Sequence, residues 1–306
     1  MRLVISLGGT ALLARGERPD AATQRRHVRA AARTLAPVAR DHQLLICHSN
    51  GAQIGTLALE SENDDTLTRP YPLDVLSAQT QGMIGYWLTQ ELRRAGVTRP
   101  VVAVVTQSLV DAADPGFRQP SAFVGPGYTR EQIQLWAGEL GWQIAYDGSA
   151  WRRVVPAVDP IDIVELPTIG PLVDAGALVV CGGGGGVAVC AEDMAFAGVD
   201  ALIDADRTAA LLAERTDADR LVLLTDIAEV RRDYGTDTES PIARLDLDEL
   251  AALHVDPATM GAKLDAARRF VQATGRDAVI GACSQAAAVV AGLAGTTLTP
   301  SARSVS

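Results

Sequence analysis

The sequence predicts an α/β fold with a parallel or mostly parallel sheet covered on both faces. Three observations predict it. Apolar runs of strand length alternate with segments of helical period. Of 306 residues 48% are hydrophobic, enough for a large buried core. Three of the strand-like runs also end in glycine-bearing turns, and active sites in such sheets lie beyond the carboxyl ends of the strands.

The elements follow in order. Residues 3–7 read as a strand that enters Gly8-Gly9-Thr10-Ala11. Val28, Ala31, Leu35 and Val38 mark one face of a helix. Residues 44–47 form the next strand, ending in His48-Ser49-Asn50-Gly51 ahead of a helix-like segment. Leu76, Met83, Trp87 and Leu92 mark another helix, and residues 101–106 another strand. Residues 111–160 break the rhythm with Pro115, Pro120, Pro126, Pro156 and Pro160 and with Trp136, Trp142 and Trp151. A disordered tether rarely holds so many tryptophans, so this stretch reads as an inserted subdomain or lid. Residues 178–181 resume the alternation and run into Gly182, Gly183, Gly184, Gly185 and Gly186. Residues 221–225 and 279–281 supply further strands. Thr259-Met260-Gly261-Ala262-Lys263 opens a helix to about Ala273. Residues 233–240 read as an exposed turn and 301–306 as a frayed tail. One domain over 1–306, with 111–160 inserted in it, is the expected organisation.

Composition excludes several function classes. A net charge of -10 argues against nucleic-acid and anionic-membrane partners, and 4% aromatics against base-stacking platforms. No apolar run approaches the ~20 residues of a membrane span, and the N-terminal one is too short for a signal peptide. Cys47, Cys181, Cys190 and Cys283 lack metal spacing and read as reduced thiols in a cytoplasmic protein. His27, His42, His48 and His254 show no metal spacing either, and no metal ligand is expected from the protein. Cys47 and His48 are adjacent on a strand end and point apart, which argues against a nucleophile–base pair.

Lys263 is the only lysine; every other basic side chain except histidine is arginine. Lysine is a compact point charge and arginine a wide planar fork, so one lysine at a glycine-bearing helix start favours an anion such as phosphate. A solvated surface lysine is the plain alternative. Glycine lets the backbone approach a ligand and turn its N–H groups inward, and three such loops at one end of a sheet suit an anion cradle; tight turns also use glycine for steric reasons alone. The Walker pattern is absent, and neither Gly8-Gly9 nor the five-glycine run is a convincing dinucleotide fingerprint. Asp204 and Asp206 open a helix, as caps or as groups that orient a cation near phosphates. Thr225-Asp226 ends a strand, where a nucleotide loop or an ordinary turn would fit.

Taken in order, several segments resemble the carbamate kinases of the amino-acid kinase superfamily. They are Gly8-Gly9-Thr10-Ala11, His48-Ser49-Asn50-Gly51-Ala52-Gln53-Ile54-Gly55, Gln79-Thr80-Gln81-Gly82-Met83-Ile84-Gly85-Tyr86, Trp151-Arg152-Arg153-Val154-Val155-Pro156, the glycine run after Cys181, Ile203-Asp204-Ala205-Asp206 and Met260-Gly261-Ala262-Lys263. The resemblance covers nearly the whole chain. It implies an open three-layer α/β/α sandwich, a homodimer and a protruding subdomain over 111–160. It also implies reversible transfer of the terminal phosphoryl group of ATP to carbamate, with Mg²⁺ bound through the nucleotide phosphates. By the same resemblance Gly8, Gly9, Thr10, Ser49, Asn50 and Gly51 face carbamate and the transferred group. Lys263 contacts the nucleotide phosphates and Asp206 orients the cation. Arg207, Thr225, Asp226, Met260 and Gly261 border the nucleotide, over a floor made by Gly182, Gly183, Gly184 and Gly185.

The chain departs from the family pattern at four places. Ala122 and Ala205 stand where the family carries lysines, Thr10 replaces an asparagine and Ser49 a glycine. Arg118, Arg130 and Arg207 are the candidates for a substitute charge. Three readings follow: a working carbamate kinase, a related kinase acting on another small acid, and a non-catalytic nucleotide-binding homologue.

Overall fold

The computed structural model describes residues 1–14, 16–253 and 260–301. The first third of the chain runs β1 (Arg2–Leu7), α1 (Ala21–Asp41), β2 (Gln43–His48), α2 (Gly51–Glu62), α3 (Leu73–Arg94), β3 (Val101–Ala103) and β4 (Gln107–Val110). Then come β5 (Ala122–Tyr128), α4 (Arg130–Leu140), β6 (Gln143–Tyr146), β7 (Trp151–Val155), β8 (Ala157–Val158), β9 (Pro160–Ile163), α5 (Leu166–Asp174) and β10 (Leu178–Val180). After the glycine run follow β11 (Val187–Glu192), β12 (Ala195–Gly198), β13 (Leu202–Ile203), α6 (Ala205–Arg215), β14 (Arg220–Thr225), β15 (Val230–Arg232) and β16 (Ser240–Ile242). The chain closes with β17 (Arg244–Asp246), α7 (Leu247–Ala252), α8 (Ala262–Thr274), β18 (Ala278–Ala282), α9 (Ala286–Val290) and β19 (Thr296–Thr299).

An eight-stranded sheet in the order β17-β19-β18-β14-β1-β2-β10-β3 forms the middle layer. From β18 to β3 every pairing is parallel; β19 runs antiparallel to β18 and parallel to β17. Strand alternation sorts the core. Leu3, Ile5 and Leu7 pack with Val28, Ala32 and Leu35 of α1 and Ile84 and Leu88 of α3, while Val4, Leu45 and Leu223 pack with α5, α6 and α8 on the opposite face. The layers are therefore helix, sheet, helix. Alternation also puts the hydroxyl of Ser6 among the α6–α8 side chains, which matters below.

The strand expected over 101–106 ends at Ala103. The Gln81 side chain takes both Thr106 backbone groups, accepting from its N–H at 2.9 Å and donating to its carbonyl at 3.0 Å, so the chain leaves the central ladder. It continues as β4 in a second sheet, β12-β11-β4-β9. Within residues 111–160, β5, β7 and β6 form a three-stranded antiparallel sheet beside α4. Its aromatics meet edge to face, Tyr128 with Trp136 at 4.9 Å and Trp136 with Trp142 at 5.9 Å. An ion pair from Arg153 to Glu62 of α2, 2.8 Å, ties this sheet to the body. The turn expected over 233–240 is the exposed link between β15 and β16, while most of the expected frayed tail lies outside the described residues.

One buried charge has a clear pH consequence. Glu91 of α3 is 1% exposed and accepts from Arg29 at 2.9 Å, Arg25 at 3.0 Å and Arg94 at 2.7 Å. The Arg29 hydrogen bond, with Arg25 and Arg94, overcomes burial and holds its carboxyl at about 2, below the ordinary 4.5. A depressed carboxyl stabilises the fold fully above the unfolded value and loses that contribution as pH falls towards the folded one. Stability against urea is expected to drop between pH about 4.5 and about 2, and Glu91→Gln is expected to flatten that limb while lowering stability at pH 7.

Candidate active site

The parallel order β14-β1-β2-β10 brings four strand ends together. The Gly8 N–H donates to the Leu224 carbonyl at 2.8 Å and the Ser49 N–H to the Leu7 carbonyl at 2.8 Å, so the loops are fixed to their neighbours. Gly9-Thr10-Ala11 makes a 3-10 turn, and α2 begins at Gly51 directly after Asn50. The opening amides of a helix have no partner within it and face an incoming anion. Ser49 projects beside Gly9: a Cβ on Gly9 would lie 3.6 Å from its Oγ.

Lys263, in the first turn of α8, reaches this point. Its Nζ donates to Asp206 Oδ2 at 2.7 Å, and Asp206 Oδ1 accepts from Ser6 Oγ at 2.6 Å. Both side chains are largely buried, with 14% of Lys263 and 10% of Asp206 exposed. A Cβ on Gly8 would stand 3.3 Å from Nζ and 3.0 Å from the Leu224 carbonyl, so the ammonium sits against bare backbone. Asp204 caps α6, accepting from the Asp206 and Arg207 N–H groups at 2.9 and 3.1 Å. Burial, then the charge of Asp206, pushes its carboxyl upward, and the Arg207 N–H and Lys263 partly offset this.

The five-glycine run packs beneath these loops. Gly182, Gly184, Gly185 and Gly186 have positive φ. The Gly182 N–H donates to Thr106 Oγ1 at 2.9 Å, and the Gly185 carbonyl accepts from Ser108 at 2.7 Å and Thr208 at 2.8 Å. Cβ atoms would strike His48 at Gly183 (2.4 Å) and Asn50 at Gly184 (2.1 Å), so steric need explains the glycines here. Asn50, buried, donates to Thr80 Oγ1 at 2.9 Å. Burial lowers the His48 imidazole to about 4, with its bond to the Ser49 carbonyl opposing; the ring is neutral at pH 7. Cys47 lies in the α6–α8 core beside Gly182, while His48 meets Gly183 from the next position of the strand, which keeps the two side chains apart.

The family now follows from comparison with known proteins. Residues 1–282 match the amino acid kinase family. The carbamate kinase of Rhizobium meliloti is 42% identical over 309 residues, covering 98% of this chain and 94% of that protein. That of Escherichia coli K12 is 42% identical over 294 residues, covering 96% and 98%. This chain belongs to the carbamate kinases. The structure of carbamate kinase from Giardia lamblia bound to AMP-PNP, 34% identical, superposes with a TM-score of 0.90 over 98% of each chain. The α/β/α fold and the phosphotransferase class stand with the family.

Other predicted positions are spread around this centre. Thr225 is buried at the end of β14 and donates to Asp226 at 3.0 Å. Met260 and Gly261 lead into α8, while Thr259 and His254 lie outside the described residues. Ala205 is the first residue of α6, and Ala122 the first of β5, half-buried against the cluster around Ile54 and Leu76. Of the substitute cations, Arg130 stacks over Trp151 at 5.5 Å, Arg118 follows a 3-10 turn, and Arg207 pairs with Asp159 and Asp265. Of the residues that brace the loops, Thr80 and Gln81 lie in the family-like segment from Gln79 to Tyr86, whereas Ser6 and Thr106 carry no sequence signal beyond being polar residues in apolar segments.

Proposed function

We propose that this chain is a carbamate kinase that transfers a phosphoryl group reversibly between ATP and carbamate, giving ADP and carbamoyl phosphate. The full-length match to carbamate kinases carries the reading, and the Lys263–Asp206 pair at the mouth of the glycine loops supports it. Carbamate is already an anion, so its oxygen attacks the terminal phosphorus without a general base while the bond to the ADP oxygen breaks. Catalysis then rests on alignment and on charge at the phosphoryl oxygens. Lys263 supplies a compact cation held in place by Asp206, itself fixed by Ser6. Backbone amides at Gly9 and Gly51 and the Asn50 side chain face the transferred group and carbamate, beside Gly8, whose own N–H is held by the Leu224 carbonyl and which leaves room for the ligand, with Thr10 and Ser49 at the acceptor side. Thr225, Asp226, Met260, Gly261 and Arg207 border the nucleotide over the floor of Gly182, Gly183 and Gly184.

Among the described residues no cluster of three His, Cys, Asp or Glu side chains is placed for a metal, and both Asp206 oxygens already accept hydrogen bonds. Mg²⁺ is read as carried on the nucleotide, where it would neutralise phosphate charge. Residues 111–160 are read as a protruding subdomain of one amino-acid kinase domain. No described helix is long and apolar enough to cross a membrane, and the protein is read as a cytoplasmic homodimer. Exposed Tyr86, Met194 and Phe196 offer apolar surface for the second copy.

The test supplies purified protein with ADP, Mg²⁺ and carbamoyl phosphate and follows ATP. Turnover is expected. Nucleotide binding with turnover only on other small acyl phosphates would favour the second reading, which the Ser49 hydroxyl beside Gly9 and the loss of a lysine at Ala122 support. Nucleotide binding without any transfer would leave a non-catalytic homologue.

A further inference from the structure

The first turns of α6 and α8 are joined twice. Asp206 and Lys263 make one junction. The other lies one residue further along α6 and two along α8, where Arg207 donates to Asp159 and lies 3.3 Å from Asp265. Arg269 completes a four-membered ring, donating to Asp265 at 2.9 Å and to Asp159 at 2.9 Å. Asp159 stands between β8 and β9, where the chain returns from the three-stranded β5-β7-β6 sheet.

Exposed ion pairs taken singly contribute little, but Asp159 pairs with two arginines and Asp265 with three, Arg268 included, and such a network fixes geometry better than a lone pair. Arg207 Nε is buried and makes no hydrogen bond. The guanidinium therefore lies where its two carboxylates hold it, at the expense of one of its own donors. Among the described residues no side chain caps α8 at Gly261, which is itself helical. The polar contacts of its first two turns run to Asp206, Arg207 and Asp159, beside the apolar packing of Leu264 and Ala266, and Lys263 lies two residues from Asp265.

We propose that Asp159 is a positioning residue for the phosphoryl-transfer site: through Arg207, Arg269 and Asp265 it locks the start of α8 against α6, sets Lys263 Nζ over Gly8, and ties that setting to the base of the inserted sheet. The kinetic consequence rests on the carbamate kinase reading; the structural one does not.

A single lysine makes the structural consequence directly readable. Protein labelled with ¹⁵N at lysine Nζ gives one ammonium resonance, that of Lys263. Asp159→Asn and Arg269→Gln are each expected to shift and broaden it, and Asp159→Glu to return it towards its original position. In ATP formation, Asp159→Asn is expected to lower kcat about tenfold with KM for carbamoyl phosphate within about twofold, since sub-ångström misplacement acts on the transition state more than on binding. Asp159→Glu is expected to recover most of that loss. A Lys263 resonance unmoved in both Asp159→Asn and Arg269→Gln overturns the proposal, whatever the activity. Should the unmutated protein form no ATP, the carbamate kinase reading fails, and the resonance still decides the role of Asp159.

Discussion

Lys263→Met is expected to lower kcat for ATP formation by about 10²–10³, the usual effect of removing one preorganised charge-stabilising group. Methionine keeps the unbranched stem in its place and deletes the charge, so lost packing is a small component. Lys263→Arg is expected to recover only a minor share. A Cβ on Gly8 would stand only 3.3 Å from Nζ, so the ammonium lies close to the Gly8 backbone, and a planar guanidinium needs more room than this compact charge. The single-lysine composition thus has a local steric reason at its one position.

The same substitution probes Asp206. Without Lys263, its Oδ2 loses its partner while Oδ1 keeps the Ser6 hydroxyl. A largely buried carboxylate left half-satisfied destabilises by about 1–3 kcal/mol. Lys263→Met is therefore expected to lower the urea midpoint, and adding Asp206→Asn to restore part of it, because the uncompensated charge is gone. Activity is expected to stay low in the double variant, and the two single effects on kcat are expected not to add, since Asp206 acts through Lys263. Full additivity in kcat would mean that Asp206 meets the phosphates on its own.

How much of this was legible in the sequence depends on range. The six apolar runs all became strands of the central sheet, because several consecutive Val, Leu and Ile residues suit only a doubly covered strand. The edge strand β17 and its neighbour β19 escaped. Arg244–Asp246 has one buried residue, Leu245, and Thr296–Thr299 is mostly threonine, so their pairing is dictated by distant partners. The glycine loops and Lys263 stood out locally. The bond from Ser6 to Asp206 spans 200 residues of sequence and could not. Arg207 shows the limit most plainly. It adjoins Asp206, yet a helix turns about 100° per residue, and that rotation carries its guanidinium to Asp159 and Asp265.

Gly184→Ala is expected to damage both stability and activity, for separable reasons. At φ +62° an alanine is strained, and its Cβ would lie 2.1, 2.3 and 2.6 Å from Nδ2, Cγ and Oδ1 of Asn50. The loop is poorly placed to retreat, because Ser108 and Thr208 hold the Gly185 carbonyl, and Asn50 is buried and bound to Thr80. Strain and overpacking together are expected to lower unfolding free energy by about 2–4 kcal/mol. Displacing Asn50 from the strand-end pocket is expected to cost about 10² in kcat, the effect of misplacing a positioning group by an ångström. Gly138→Ala in α4, where a Cβ meets nothing within 4 Å, is the control and is expected to be neutral or slightly stabilising. Adding Asn50→Ala to Gly184→Ala removes the collision but not the backbone strain. Stability is then expected to recover in part and activity not at all, since the amide proposed to face the substrate is absent. If Gly184→Ala instead melts and turns over like Gly138→Ala, the five-glycine run does not support Asn50, and the steric account of that floor is wrong.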